Sequence, residues 1–150
     1  FVNQNLPVLE DLSKKVAEHH GNSMPFLISI YSKVRELRCE LMSHMKKEEQ
    51  ILFPIIKQLE NGGAVNIGFD SIVDPIYVME KDHDIAGDLM KEIRMVAKDY
   101  AIPVSACNSV KMLYHKLIEF ENDLFQHIHL ENNILFPRAM KLEKLFKEVL

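Results

Sequence analysis

His44 opens the stretch HMKKEEQILFP, and 83 residues later His127 opens HIHLENNILFP. The two agree at six of eleven positions: the histidine, a glutamate four residues on, and all of ILFP. A His and a Glu four apart lie one turn apart on the same face of a helix. His44 with Glu48, and His127 with Glu131, therefore each present an imidazole beside a carboxylate. Ile51 and Ile134, seven residues after each His, extend the same stripe with apolar side chains and mark it as core-facing. One such pair alone is most simply a surface or satisfied polar pair. An ionised carboxylate sent into a core twice over is costly unless positive charge waits there. Two helices that deliver the same pair inward match the layout of di-metal carboxylate bundles. Metal binding is the chemistry this repeat predicts.

Further ligands should come from neighbouring helices at the same height. His83, in VMEKDHDIAGDLM, is the one histidine of its helix, and it stands as far above the turn near residue 105 as His127 does on the other side. It is the third imidazole expected at the site. Gly87, four residues on, stands where the other two motifs carry Glu, leaving either room for an exogenous ligand or close helix packing. Asp82 or Asp84 is placed to orient His83 through its second ring nitrogen. Glu49 and His129 point away from their neighbours Glu48 and His127 and read as peripheral. Pro54 and Pro137, each ten residues after a motif histidine, free the carbonyls of Gln50 and Asn133 and predict kinks that shape the bundle. Met42, Met45, Met79, Met90 and Met112 read as packing.

The elements that must position these side chains are helices. Apolar residues recur at three- and four-residue steps, with no sustained alternation. A first helix is already under way at residue 1 and breaks at Gly21, Asn22 and Ser23. A second runs from about Pro25 to Glu60. A loop of about a dozen residues leads to Asp74-Pro75, an N-cap followed by proline in the first turn. The third helix extends to about Tyr100, and the fourth from near Ser105 to about Lys141, with LEKLFKEVL as a last turn or a frayed tail. The expected fold is all-α, an antiparallel four-helix bundle formed by residues 1–150 as one domain.

Composition sets outer limits. Apolar residues make up 47% and charged residues 27%, with a net charge of −4. Such a balance argues for a folded core and gives no footprint for nucleic acid or an anionic membrane. No apolar run approaches a membrane span. Cys39 and Cys107 are too few for a disulfide framework and read as buried or half-buried thiols in a reducing cytoplasm.

The first helix poses a problem of height. Its histidines, His19 and His20, adjoin the first turn, whereas His44 stands roughly 30 Å above that turn. Reflecting His44 through the turn lands just ahead of Phe1, so one ligand is expected upstream of this stretch.

SHMKKEEQILFP, EKDHDIAGDLM and QHIHLENNILFP, with Leu6, Pro7, Lys15, Val16, Ala17, His20 and Gly21, resemble the hemerythrin-like domain of the bacterial repair-of-iron-centres proteins over essentially the whole stretch. That resemblance implies two iron ions as an oxo- or hydroxo-bridged pair. Carried over by motif, the ligands are His44, Glu48, His83, His127 and Glu131, the two carboxylates bridging, with a further histidine about two residues ahead of Phe1. The family's small N-terminal domain with paired cysteines has no counterpart in these residues. The implied role is repair of iron–sulfur clusters damaged by oxidative or nitrosative stress. Damaged iron–sulfur proteins are then the transient partners, and nitric oxide or dioxygen the small ligands. Hemerythrin-like reversible binding or sensing of those gases is the alternative, and a di-iron oxidase or peroxidase a third. A histidine-rich shell favours the first two over strong oxidation. Spacing alone separates neither repair from carriage nor monomer from homodimer.

Overall fold

A computed structural model describes residues 2–62 and 71–149. Its elements are α1 (Val2–His20), α2 (Phe26–Lys47), α3 (Phe53–Glu60), α4 (Val73–Val96), α5 (Asn108–Leu130) and α6 (Phe136–Val149). A single wide π-turn, Glu48–Leu52, joins α2 to α3, and another, Glu131–Leu135, joins α5 to α6. The six segments therefore form four rods, the all-α bundle expected. Much of the loop expected before Asp74 (63–70) lies outside the described residues.

The rods run antiparallel, as cross-links along their length show. Glu10 of α1 meets Arg38 and Arg35 of α2. Lys33 and Lys47 of α2 meet Glu92 and Asp82 of α4, higher numbers facing lower ones. Arg94 of α4 grips the buried Glu121 of α5 through two of its nitrogens. At the turn between α1 and α2, a Cβ on Gly21 would fall 2.4 Å from the Ala17 carbonyl oxygen and 2.8 Å from Ile28, so only glycine lets the helices come this close.

Two apolar clusters fill the bundle. One, from α1, α2, α4 and α5, includes Leu27, Ile30, Leu37, Leu41, Met90, Leu113, Phe120 and Leu124. The other, from the far ends of the rods, includes Leu52, Ile55, Leu59, Ile76, Met79 and Phe136. On each of three rods the chain crosses from one cluster to the other through a polar residue: between Leu41 and Leu52, between Met79 and Ala86, and between Leu124 and Phe136. His44, Glu48, His83 and Glu131 are the buried polar groups in those intervals. The ligand layer separates two hydrophobic cores.

Several boundaries differ from expectation. α4 starts at Val73, and Asp74 makes no side-chain cap. The exposed N–H groups are met instead by the Ser71 hydroxyl, 3.2 Å from Val73 N, and by Glu143 of α6, 2.9 Å from Ile72 N. A carboxylate far along the chain outcompetes the local aspartate. α4 ends at Val96 because Lys98, Asp99 and Tyr100 all take positive φ, 50°, 55° and 60°. Three such residues without a glycine are costly. Burial of the Tyr100 ring, with Arg94 4.9 Å from its centroid and Tyr114 edge-on at 5.8 Å, holds the turn. The C-terminal residues form no frayed tail, since α6 runs to Val149. Met79 and Met90 pack as expected, but Met42 and Met112 are exposed, and so is Cys39.

Candidate metal centre

The site begins with the two prolines. Pro54 and Pro137 have no N–H, so the regular ladder fails one turn upstream of each. Each chain segment responds by widening rather than kinking. The Phe53 N–H reaches back five residues to the Glu48 carbonyl, and the Phe136 N–H to the Glu131 carbonyl. Both π-turns thus open on the motif glutamate. A π-turn holds one extra residue and shifts every later side chain round the axis. This overturns the assignment of Ile51 and Ile134 to the core: they are 37% and 43% exposed, and Leu52 and Phe136, one and two positions further on, are buried in their place. The ILFP repeat encodes a widened turn at the carboxylate, not only a bend.

Above and beside these turns, one ligand atom from each of His44, Glu48, His83, His127 and Glu131 falls within 4.8 Å of all the others. His44 Nε2 lies 3.0 Å from Glu48 Oε1 and 3.1 Å from His83 Nε2. Glu131 Oε2 lies 3.1 Å from His83 Nε2 and 3.2 Å from His127 Nε2. All are buried except His127, whose side chain is 39% exposed and forms the rim. All five residues predicted from sequence are brought together. Glu49 and His129 are exposed, as expected, and His129 pairs with Asn133. His20 lies at the other end of the bundle against Cys107. The early part of α1 stands level with His44, since Glu10 already faces Arg35 and Arg38 across the antiparallel pair.

Two supporting contacts hold the His83 imidazole. His83 Nδ1–H donates to Asn132 Oδ1 at 2.6 Å, and the ring stacks on Phe136, 5.9 Å between centroids and 5° between planes. Asp82 does not orient His83. It faces His44 Nδ1 at 3.5 Å and accepts from Lys47 at 2.7 Å, because the residue before His83 on α4 points toward α2. Asp84 is exposed, its nearest cation Lys81 at 3.7 Å. Sequence reasoning missed Asn132. It neighbours Glu131 in LENN, but only the π-turn swings it beneath His83.

The cluster has the electrostatics of a cation cradle. With Nδ1–H committed to Asn132, His83 Nε2 carries a lone pair, and it faces His44 Nε2 and a carboxylate oxygen. Although ring nitrogens lie near, Glu48 Oε1 and Glu131 Oε2 are buried without a properly formed hydrogen bond. Such orphaned acceptors are expensive unless a cation fills the space between them. Burial pushes the Glu48 carboxyl up, only partly offset by His44, with Glu131 adding to the rise. Burial also raises Glu131, but contacts from His127, His83 and Glu48 outweigh it and hold that carboxyl below its usual range. Its charge in turn holds His127 above the usual imidazole range. The donor set of imidazole and carboxylate, without thiolate, suits iron, manganese or zinc.

Substituting Asn132 by Ala is expected to weaken metal binding about tenfold or more while leaving the five ligands in place. Titration of the metal-free variant checks this, and unchanged affinity would show that Phe136 stacking alone orients His83.

The cavity pattern bears on Gly87. A cleft of about 310 Å³, lined by His83, Gly87, Asp88, Phe125 and Ile128 among others, reaches His83 from the surface. A Cβ at Gly87 would sit 3.5 Å from Phe125, an ordinary contact, so close packing does not demand glycine here.

Residues 2–139 match the family described as hemerythrin HHE cation binding domain. The chain is 42% identical to a probable iron-sulfur cluster repair protein of Haemophilus influenzae over 137 residues, 91% of this chain and 58% of that protein. It is 37% identical to the iron-sulfur cluster repair protein YtfE of Yersinia pseudotuberculosis over 140 residues, 93% of this chain and 60% of that one. The match to YtfE of Yersinia pestis has the same identity and extent. The chain thus spans about three-fifths of the length of these curated relatives.

Proposed function

Since this chain belongs to the hemerythrin HHE cation-binding family, we propose that His44, Glu48, His83, His127 and Glu131 hold two iron ions, with both carboxylates bridging. The observation that carries this reading is the convergence of five ligand atoms within 4.8 Å of one another, drawn from three rods and lying between two apolar cores, four of the five residues buried. Bound iron would supply redox chemistry toward nitric oxide or dioxygen and a pool of exchangeable metal. The chain's own residues do the rest. Glu48 and Glu131 neutralise charge, Asn132 fixes the His83 ring, and the surrounding apolar layers limit water.

The protein then acts in repair of iron–sulfur clusters, the role for which its relatives are named, with oxidative or nitrosative stress as the source of the damage. Damaged iron–sulfur proteins are its transient partners. Among the described residues no helix is long and apolar enough to cross a membrane. Reversible binding or sensing of nitric oxide or dioxygen is the second reading, favoured by the cleft at Gly87 that leads to His83.

The experiment separating the two loads the chain with ferrous iron and mixes it with an iron–sulfur enzyme inactivated by nitric oxide. Repair predicts recovery of cluster absorbance and enzyme activity well above that produced by the same free iron. A carrier or sensor predicts a reversible spectral change with nitric oxide and no recovery. No excess recovery would remove the repair reading for this part of the protein.

A further inference from the structure

A second group of reactive side chains lies at the other end of the bundle. Cys107 Sγ is 3.1 Å from His20 Nε2, joining the last residue of α1 to the residue that precedes α5. Both side chains are half-buried, so the pair is reachable from solvent. Cys107 occupies the N-cap of a 23-residue helix in an extended conformation, φ −74° and ψ 170°. The two groups form a nucleophile–base pair, and the free N–H end of the helix lies beside the sulfur. From this geometry we infer that Cys107, with His20 as its partner, is a site of reversible thiol modification that exchanges with low-molecular-weight disulfides.

The chemistry needs no metal. The S–H donates to His20 Nε2, and proton transfer leaves a thiolate accepting from the imidazolium N–H. The thiolate attacks one sulfur of the disulfide RSSR, the new Cys107–SR bond forms as the old S–S bond breaks, and RS⁻ departs, taking up the released proton. One disulfide replaces another, with no net oxidation. The Val110 and Ser109 N–H groups face the sulfur, and against the opposing effect of burial they hold the thiol below its usual range, although neither closes a capping hydrogen bond of ordinary geometry. Helix N-termini and neighbouring histidines are the surroundings in which cysteine becomes reactive. Cys39 provides the internal comparison, since it is the more exposed of the two thiols. By accessibility alone Cys39 would react faster; by microenvironment Cys107 would. The gain is bounded, because a more acidic thiol is also a weaker nucleophile, and a several-fold advantage is expected rather than the whole rise in thiolate fraction.

The test follows nitrothiobenzoate release from Ellman's disulfide, with metal-loaded Cys39→Ser and Cys107→Ser proteins at mildly acidic pH. Cys107 in Cys39→Ser should react about threefold or more faster than Cys39 in Cys107→Ser. Adding His20→Gln, which keeps a neutral donor but loses the base, should remove most of that advantage. Circular dichroism should show unchanged helix content, and denaturant should make the two thiols react alike. Oxidised glutathione should add one glutathione mass at Cys107. Equal or faster reaction at Cys39, or an unchanged rate in His20→Gln, would reduce the contact to a structural link and overturn the inference.

Discussion

On the proposed two-iron reading, replacing Glu48 by Gln is expected to take the protein from about two irons per chain to one or none, and to abolish the spectrum of a paired site. Glu48 is 3% exposed, and its Oε1 already lies 3.0 Å from His44 Nε2. A carboxylate that bridges two cations neutralises charge on both, so its loss undoes the pair rather than one ion. The neutral amide keeps the shape of the side chain and is cheaper to bury than a charge. The metal-free variant should therefore melt no lower than the metal-free parent. Iron that binds only the folded state stabilises it by about 2.7 kcal/mol at a hundredfold excess over Kd. For a chain of this size that is a melting shift of roughly 5–11 °C, which the variant should lose. Glu49→Gln is the control, because Glu49 is exposed one position round the helix. Equal loss of iron in the two variants would mean that the wrong carboxylate has been placed at the site.

Much of this centre was legible because helical spacing is a strong local constraint. A His and a Glu four apart share a face whatever the tertiary context, and a repeat of that pair makes accident improbable. His83 could be placed by counting turns, since antiparallel rods of fixed rise per residue put equal distances from a turn at equal heights. The same count sent His19 and His20 to the far end, where His20 is found against Cys107.

What was not legible depends on where the helix departs from 3.6 residues per turn. The reading of Pro54 and Pro137 as simple kinks assumed a regular ladder up to the proline. The wide turn relieves the missing N–H upstream, at the glutamate itself, and that one extra residue exposes Ile51 and Ile134 and brings Asn132 under His83. Asp82 was misassigned for a related reason: a residue adjacent to a ligand points toward a different helix, and which one is a matter of packing. The cap of α4 by Glu143 could not be read locally, since its two halves are 71 positions apart.

Truncating the imidazoles tests the register of the whole bundle. His44→Ala and His127→Ala are each expected to lose at least one iron per chain, whereas His20→Ala should lose none. His44 is 2% exposed and faces His83, Glu48 and Asp82, so its removal leaves a buried carboxylate with one partner fewer and a vacant coordination position. His127 sits on the rim, and its loss opens the site to water from the side where its ring now covers Glu131. The two variants should therefore differ in kind. His44→Ala should fail to assemble the pair, and His127→Ala should bind iron but release it faster to a chelator. His20, linked to Cys107 beyond the larger apolar cluster, has no path to the ligands. Iron content by emission spectroscopy and release kinetics with a ferrous chelator read both effects. Iron lost from His20→Ala to the same degree as from His44→Ala would break the height argument on which the placement of every ligand depends.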